Sequence, residues 1–349
     1  MRNSNSAISF PLALIAISTV LLALAIANLL IGSVDIEASA IFNILCRRGC
    51  DNAAWEAIVL HSRLPMIATA ALSGAALSVS GLLLQTAFNN PLAGPSILGV
   101  STGASFGVAV VMLATGSAIG GMLSETMGFY MAVLIGAFVG AGIVLIVLLL
   151  FSSLVHSATM LLIIGILVSY LASSAVSLLN FFATEEGVHS YVIWGMGNFS
   201  GVSSEQLTLF ATIILLTLAL SSLLVKPLNA MLLGTRYAEN LGVNTKQMRN
   251  MLLLITGILT AVVTAFCGPI GFIGLVVPHI ARLLLNTSNH NRLIPATILS
   301  GAAVALLCTL ISVLPKSYGV IPINAITPII GVPIIIYIII NRRKIQYFN

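Results

Sequence analysis

The chain reads as an all-α polytopic membrane protein, and three observations predict it. Of its 349 residues, 59% are hydrophobic and only 7% are Asp, Glu, Lys or Arg, whereas a soluble domain carries about a quarter charged residues. The apolar residues come in long unbroken runs rather than in alternation. Lipid admits only helices and closed barrels, and unbroken runs select helices. Finally, acidic and basic residues divide between alternate loops.

A spanning helix needs about 20 apolar residues. Such runs lie at roughly 10–31, 64–88, 96–114, 128–152, 157–182, 206–226, 248–267, 271–286, 293–314 and 323–341, the eighth being short. The sequence therefore predicts ten spans. The first is too long for a signal-peptide core, and no small-residue cleavage site follows it, so it reads as a retained anchor. The longest loops, 32–62 and 183–205, leave no room for a soluble module. The whole chain, 1–349, is read as one membrane domain.

Ten spans return both termini to one side. If that side is the cytoplasm, the inner loops hold Arg2, Lys226, Arg236, Lys246, Arg249, Arg282, Arg292, Arg342, Arg343 and Lys344, against Arg47, Arg48, Arg63 and Lys316 outside. The acidic residues reverse this: only Glu239 is inside, while Asp35, Glu37, Asp51, Glu56, Glu125, Glu185, Glu186 and Glu205 are outside. The division obeys the positive-inside rule. The net charge of +5 thus reflects topology; no basic module for nucleic acid is present. Cys46 and Cys50 in the first loop fit either a disulfide or two free thiols, and zinc would lack a second ligand pair.

No carboxylate falls in the middle of a span, which argues against a proton relay. An ion-coupled secondary transporter is still the alternative, because backbone carbonyls also hold Na⁺. No phosphate-binding loop of the Gly-x-x-x-x-Gly-Lys-Ser/Thr type is present, and His279 stands without a matching carboxylate as a catalyst. Energy for a pump would have to come from a partner. Small residues at four-residue spacing, Gly99, Gly103 and Gly107 with Gly136 and Gly140, predict close helix packing. So does the face of Gly74, Ala75, Ser78 and Gly81.

Two stretches are broken by Pro and Gly: 85–99, with Asn90-Pro91 and Gly94-Pro95, and 267–282, with Gly268-Pro269 and Pro278-His279. Both tight reversals and hinges beside a pathway fit them. The loop 226–250 mixes Leu232, Leu233, Ala238 and Leu241 with polar residues. It predicts two short helices divided near Gly234 and closed at Gly242. Such an element either lies on the membrane or enters a partner's groove.

At these residues the chain resembles the FecCD-type permeases of bacterial ABC importers for ferric siderophores, haem and cobalamin. The resemblance is carried by Arg63-Leu64-Pro65 with Leu72-Ser73-Gly74-Ala75-Ala76-Leu77, by Gln85 with Asn90-Pro91-Leu92-Ala93, by Leu233-Gly234 with Leu241-Gly242-Val243, and by Gly271 to Arg282. It implies ten helices with both termini cytoplasmic, and inverted halves at about 64–182 and 248–341. The partners it implies are a second copy of the chain or a homologous permease, two ATPase subunits that use ATP and Mg, and a periplasmic or lipoprotein binding protein; this chain would bind no cofactor.

The resemblance also implies roles. Leu233, Gly234, Arg236, Glu239, Leu241, Gly242 and Val243, within the 226–250 coupling loop, would contact the ATPase. Ser157, Ala158 and Thr159 would form a cytoplasmic gate. Arg63 would pair with a carboxylate of the binding protein, unless it only anchors a helix end. Val313 stands where the family often has a second docking Arg, with Lys316 three residues on as a substitute that lacks the guanidinium fork. Val320 and Thr309 replace acidic residues common in the family.

Overall fold

The computed structural model describes residues 9–48, 50, 52–114, 126–155, 157–315 and 319–340. Among them, every regular element is a helix: α1 (Phe10–Leu30), α2 (Ala38–Leu45), α3 (Ala53–Ile58), α4 (Leu64–Ala87), α5 (Val100–Ala109), α6 (Thr126–Leu154), α7 (Ala158–Phe182), α8 (Glu185–Gly195), α9 (Ser204–Leu223), α10 (Val225–Met231), α11 (Thr235–Asn240), α12 (Thr245–Cys267), α13 (Ile273–Leu285), α14 (His290–Val313) and α15 (Ile323–Ile340). A π-helical turn, Val59–Arg63, joins α3 to α4, and another, Val110–Ala114, extends α5. Among the described residues, seven helical runs are long and apolar enough to cross a membrane: α1, the continuous run from Ala53 to Ala87, α6, α7, α9, α12 and α14. The apolar helices α5, α13 and α15 are shorter.

The predicted third span starts later than its apolar run does. Pro91 and Pro95 have no N–H, and they push Asn90 and Gly94 out of helical geometry. Residues 88–99 therefore fold as successive turns, with Ala93 N donating to Asn90 O at 3.1 Å and Ile97 N to Gly94 O at 3.1 Å. The chain enters α5 only after Gly99, whose φ of +81° a side chain would disfavour. The two long loops carry helices of their own. The second holds α8, where Thr184 Oγ1 accepts from Gly187 N at 3.3 Å and Glu185 and Glu186 sit in the first turn. All three complement the positive end of the helix dipole.

The centre of the bundle is α4, buried at every residue from Ser73 to Ala87. It packs on α14, α12 and α13. Association in lipid depends on close approach, and the small-residue faces supply it. A Cβ on Gly74 would strike the Gly301 carbonyl of α14, and one on Gly81 the Gly274 carbonyl of α13. Gly103 and Gly107 of α5 meet Gly140 and Gly136 of α6 in the same way. Pro278 explains part of this. Its missing N–H leaves the Gly274 carbonyl, four residues back, without its helical partner, and Gly81 brings the α4 backbone up to that oxygen.

Candidate functional site

At one end of the bundle, α10 and α11 form the predicted pair of short helices. The break falls at Gly234 (φ +100°) and the close at Gly242 (φ +83°). Ala238 is buried beneath the pair, while Leu233, Tyr237 and Leu241 are more than half exposed. Three large apolar side chains thus stand on one short element, with Arg236 and Glu239 exposed beside them. Glu239 is steadied by Thr245, whose hydroxyl donates to its Oε1 at 2.7 Å.

Directly beside this pair lies a cleft of about 260 Å³ lined by Thr235, Glu239, Arg249, Ser152, Val155 and Ala158, among others. The structure therefore brings the start of α7 to the same cleft as α11. Ser157 caps α7, accepting from Met160 N at 3.4 Å. Ser157 and Thr159 are exposed. Arg249, counted from sequence as a loop charge, is buried. It donates to Ser152 Oγ at 3.0 Å, Ser152 O at 2.6 Å and Val155 O at 2.9 Å, all at the end of α6.

At the opposite end lies a second cavity, of about 580 Å³, between α5, α7, α8, α15 and the broken backbone before α13. Its walls carry hydroxyls and one amide: Ser101 and Ser105, Ser173 and Ser177, Tyr191 and Asn324. Asn324 fixes one wall. Its Nδ2 donates to Pro269 O at 2.5 Å and Gly195 O at 3.1 Å, and its Oδ1 accepts from Gly271 N at 3.2 Å. This amide ties α15 to α8 and to the segment 268–272, where Phe272 is held at φ +67°, a strained geometry for an aromatic residue.

Two expectations change. Arg63 and Arg282, counted from sequence as loop charges, both turn inward. Arg63 is 4% exposed. Its guanidinium donates to the carbonyls of Leu29 (2.5 Å) and Leu30 (3.3 Å) at the end of α1, and of Val34 (2.5 Å) in the loop beyond it. Arg282 donates to Gln85 Oε1 at 2.5 Å, and Gln85 also reaches Leu275 O at 3.3 Å, so the two interrupted stretches are cross-linked. His279 adds to that link, donating from Nε2 to Pro91 O at 2.8 Å. Cys46 and Cys50 are both free thiols. Lys316 lies outside the described residues.

The sequence reading missed the hydroxyl cavity, Asn324 and the inward turn of Arg249. The Ser101/Ser105 and Ser173/Ser177 pairs, four residues apart in apolar helices, were the available signal, since i, i+4 residues share one face. A match to the model of the FecCD transport family covers residues 20–341. The chain belongs to the FecCD transport family. It is 36% identical to the vitamin B12 import system permease protein BtuC of Citrobacter koseri, over 83% of this chain and 84% of that one. It is 31% identical to the hemin transport system permease protein HmuU of Yersinia pestis, over 95% and 96%. It also superposes with a TM-score of 0.79 on the inward-facing conformation of a metal-chelate type ABC transporter, at 31% identity, covering 95% of this chain and 99% of that one. The FecCD assignment spans both cavities and the α10–α11 pair.

Proposed function

We propose that this chain is the permease subunit of a binding-protein-dependent ABC importer of the bacterial inner membrane. Its cargo is an iron complex (a ferric siderophore or haem) or cobalamin, and its energy comes from ATP hydrolysed with Mg on two separate ATPase subunits. The single observation that carries this reading is the cleft in which α11, the start of α7 and Arg249 meet. An exposed apolar element that shares a cleft with the end of a spanning helix is suited to receive force from a partner and pass it on.

In this reading Leu233, Gly234, Arg236, Glu239, Leu241, Gly242 and Val243 contact the ATPase, and Ser157, Ala158 and Thr159 form the gate. The ten apolar helices cross the membrane with both termini cytoplasmic. Two inverted halves, α4–α7 and α12–α15, are supported by matching packing: α4 lies on α14 as α12 lies on α6, and α5 lies on α6 as α13 lies on α14. A second copy of the chain, or a homologous permease, would cover the exposed apolar side chains of α7, including Leu171, Phe181 and Phe182. The hydroxyl cavity faces the binding-protein side and holds the transit path. Docking through Arg63 would require its carbonyl bonds at the end of α1 to be exchanged for a carboxylate.

The test is uptake in proteoliposomes containing this chain, its co-encoded ATPase and its binding protein, offered ferric siderophore, haem and cobalamin in parallel. Uptake of one of them that depends on internal ATP is the expected result. Uptake by this chain alone, driven by an ion gradient, would replace the reading with a secondary carrier.

A further inference from the structure

The α10–α11 pair is joined to the centre of the bundle by a chain of side-chain hydrogen bonds. Asn229 of α10 is half-buried. Its Oδ1 accepts from the backbone N of His290 at 2.9 Å and lies 3.0 Å from His290 Nδ1. Its Nδ2 donates to Asn289 Oδ1 at 3.1 Å, on the residue that caps α14 by accepting from Asn291 N at 2.9 Å. His290 is fully buried. On the far side of its ring, Nε2 lies 2.8 Å from Thr86 Oγ1, in the last turn of α4. Three elements distant in sequence thus meet through one imidazole.

The network assigns the proton. An amide oxygen only accepts, so His290 Nδ1 carries the hydrogen that Asn229 Oδ1 receives. In the neutral ring Nε2 is then an acceptor, and the Thr86 hydroxyl supplies its one proton to it. That hydroxyl has a second acceptor in reach, the Leu82 carbonyl at 3.1 Å. If α10 draws the imidazole away, Thr86 can turn to its own helix. Parting the ring from α4 keeps the Thr86 proton paired and strands one acceptor, His290 Nε2, so the contact is a single buried hydrogen bond that resists separation of α10 from α4. Displacement of α10 therefore pulls on α4 through the ring.

We infer that His290, held by Asn229 and seated on Thr86, is the positioning residue that transmits displacement of the α10–α11 pair to α4 and to the head of α14. The inference rests on the reading of α10–α11 as the ATPase-docking element. α4 is the helix against which α12, α13 and α14 all pack, so displacement delivered to its last turn reaches most of the bundle. Asn229 and His290 make no part of the exposed apolar surface of α10–α11. Their loss should leave docking intact.

The experiment is cargo uptake per ATP hydrolysed in the full complex with its binding protein, using the cargo found above, for Thr86→Val, His290→Leu and Asn229→Leu. Asn229→Leu cuts the chain at its least buried point, so it tests the idea even if His290→Leu fails to fold. We expect each variant to retain the ATPase at the wild-type ratio and to hydrolyse ATP within about twofold of wild type. Cargo moved per ATP should fall about tenfold, as for loss of one buried hydrogen bond from a two-state equilibrium. Thr86→Val added to Asn229→Leu should do little more, because both cut one path. His290→Gln, which restores a donor and an acceptor, should recover part of the loss. Wild-type cargo per ATP in Thr86→Val and Asn229→Leu overturns the inference. So does a parallel loss of folded protein and of both activities, which would make the trio a fold element only. If the wild-type chain retains no ATPase at all, the reading beneath fails, and that outcome is distinguishable because it precedes any mutation.

Discussion

Arg63 and Arg249 answer the same problem at opposite ends of the bundle. Each enters near the head of a long helix, the run into α4 and the second turn of α12. Each is more than nine-tenths buried. Each turns its guanidinium onto the carbonyl end of a neighbouring helix, α1 for Arg63 and α6 for Arg249. The last carbonyls of a helix have no intrahelical donor and carry the negative end of its dipole. A planar cation with five N–H groups satisfies several at once. The surroundings differ. Arg63 closes against the buried backbone of Gly32, with Asp35 adding an attraction. Arg249 lines the cleft shared with Thr235, Glu239 and Ala158. One clamp fastens a peripheral helix, and the other is part of the candidate moving site.

The contrast breaks most sharply at Arg249. Arg249→Met strands the carbonyls of Ser152 and Val155 beside a fully buried Ser152 side chain. We expect it to destabilise the protein by about 3 kcal/mol, since hydrogen bonds to charged groups each contribute roughly 1.5–3 kcal/mol. ATP-driven uptake per folded molecule should also fall at least about tenfold, the response to a 1.4 kcal/mol shift in a two-state equilibrium. Thermal unfolding in detergent and uptake in proteoliposomes measure the two effects separately. Arg63→Met comes next. Its carbonyl partners lie where Ile31 and Val34 are already partly exposed, so water can replace some of the lost bonds. The expected loss is about 2 kcal/mol, with uptake per folded molecule within about twofold of wild type. Equal transport defects in the two variants would end the distinction between a fastening clamp and a working one.

Much of this fold was legible in the sequence, and the exceptions share a cause. The spans at 248–267 and 293–314 were read within three residues of the observed α12 and α14. The divide at Gly234 and the close at Gly242 were found from glycines alone. Periodicity and turn chemistry are local, so a single stretch reveals them. The inward arginines were not legible. An Arg at a span end is compatible with snorkelling to water and with capping another helix. What decides is a partner 34 residues away for Arg63 and 97 for Arg249. The Asn229–His290–Thr86 chain was hidden for the same reason, spanning 61 and 204 residues. The hydroxyl cavity is intermediate. Its serine pairs are local and readable, but that two helices face them toward one space is tertiary information.

A smaller prediction sharpens the comparison without touching either arginine. Gly32 lies beside the Arg63 guanidinium, and a Cβ built there would come within 2.7 Å of Nη2. The end of a long side chain usually moves aside at little cost. This one is held by carbonyls on several residues, so moving it weakens bonds to the end of α1. Gly32→Val should therefore cost about 1 kcal/mol, the low end for overpacking. The cost should nearly vanish in an Arg63→Met background, because the thing being displaced is gone. No valine at this distance should alter uptake per folded molecule. If Gly32→Val were as costly in the Arg63→Met background as in the wild type, the glycine would serve the path of its own backbone and not the clamp. Arg63 would then be holding α1 by its carbonyl bonds alone.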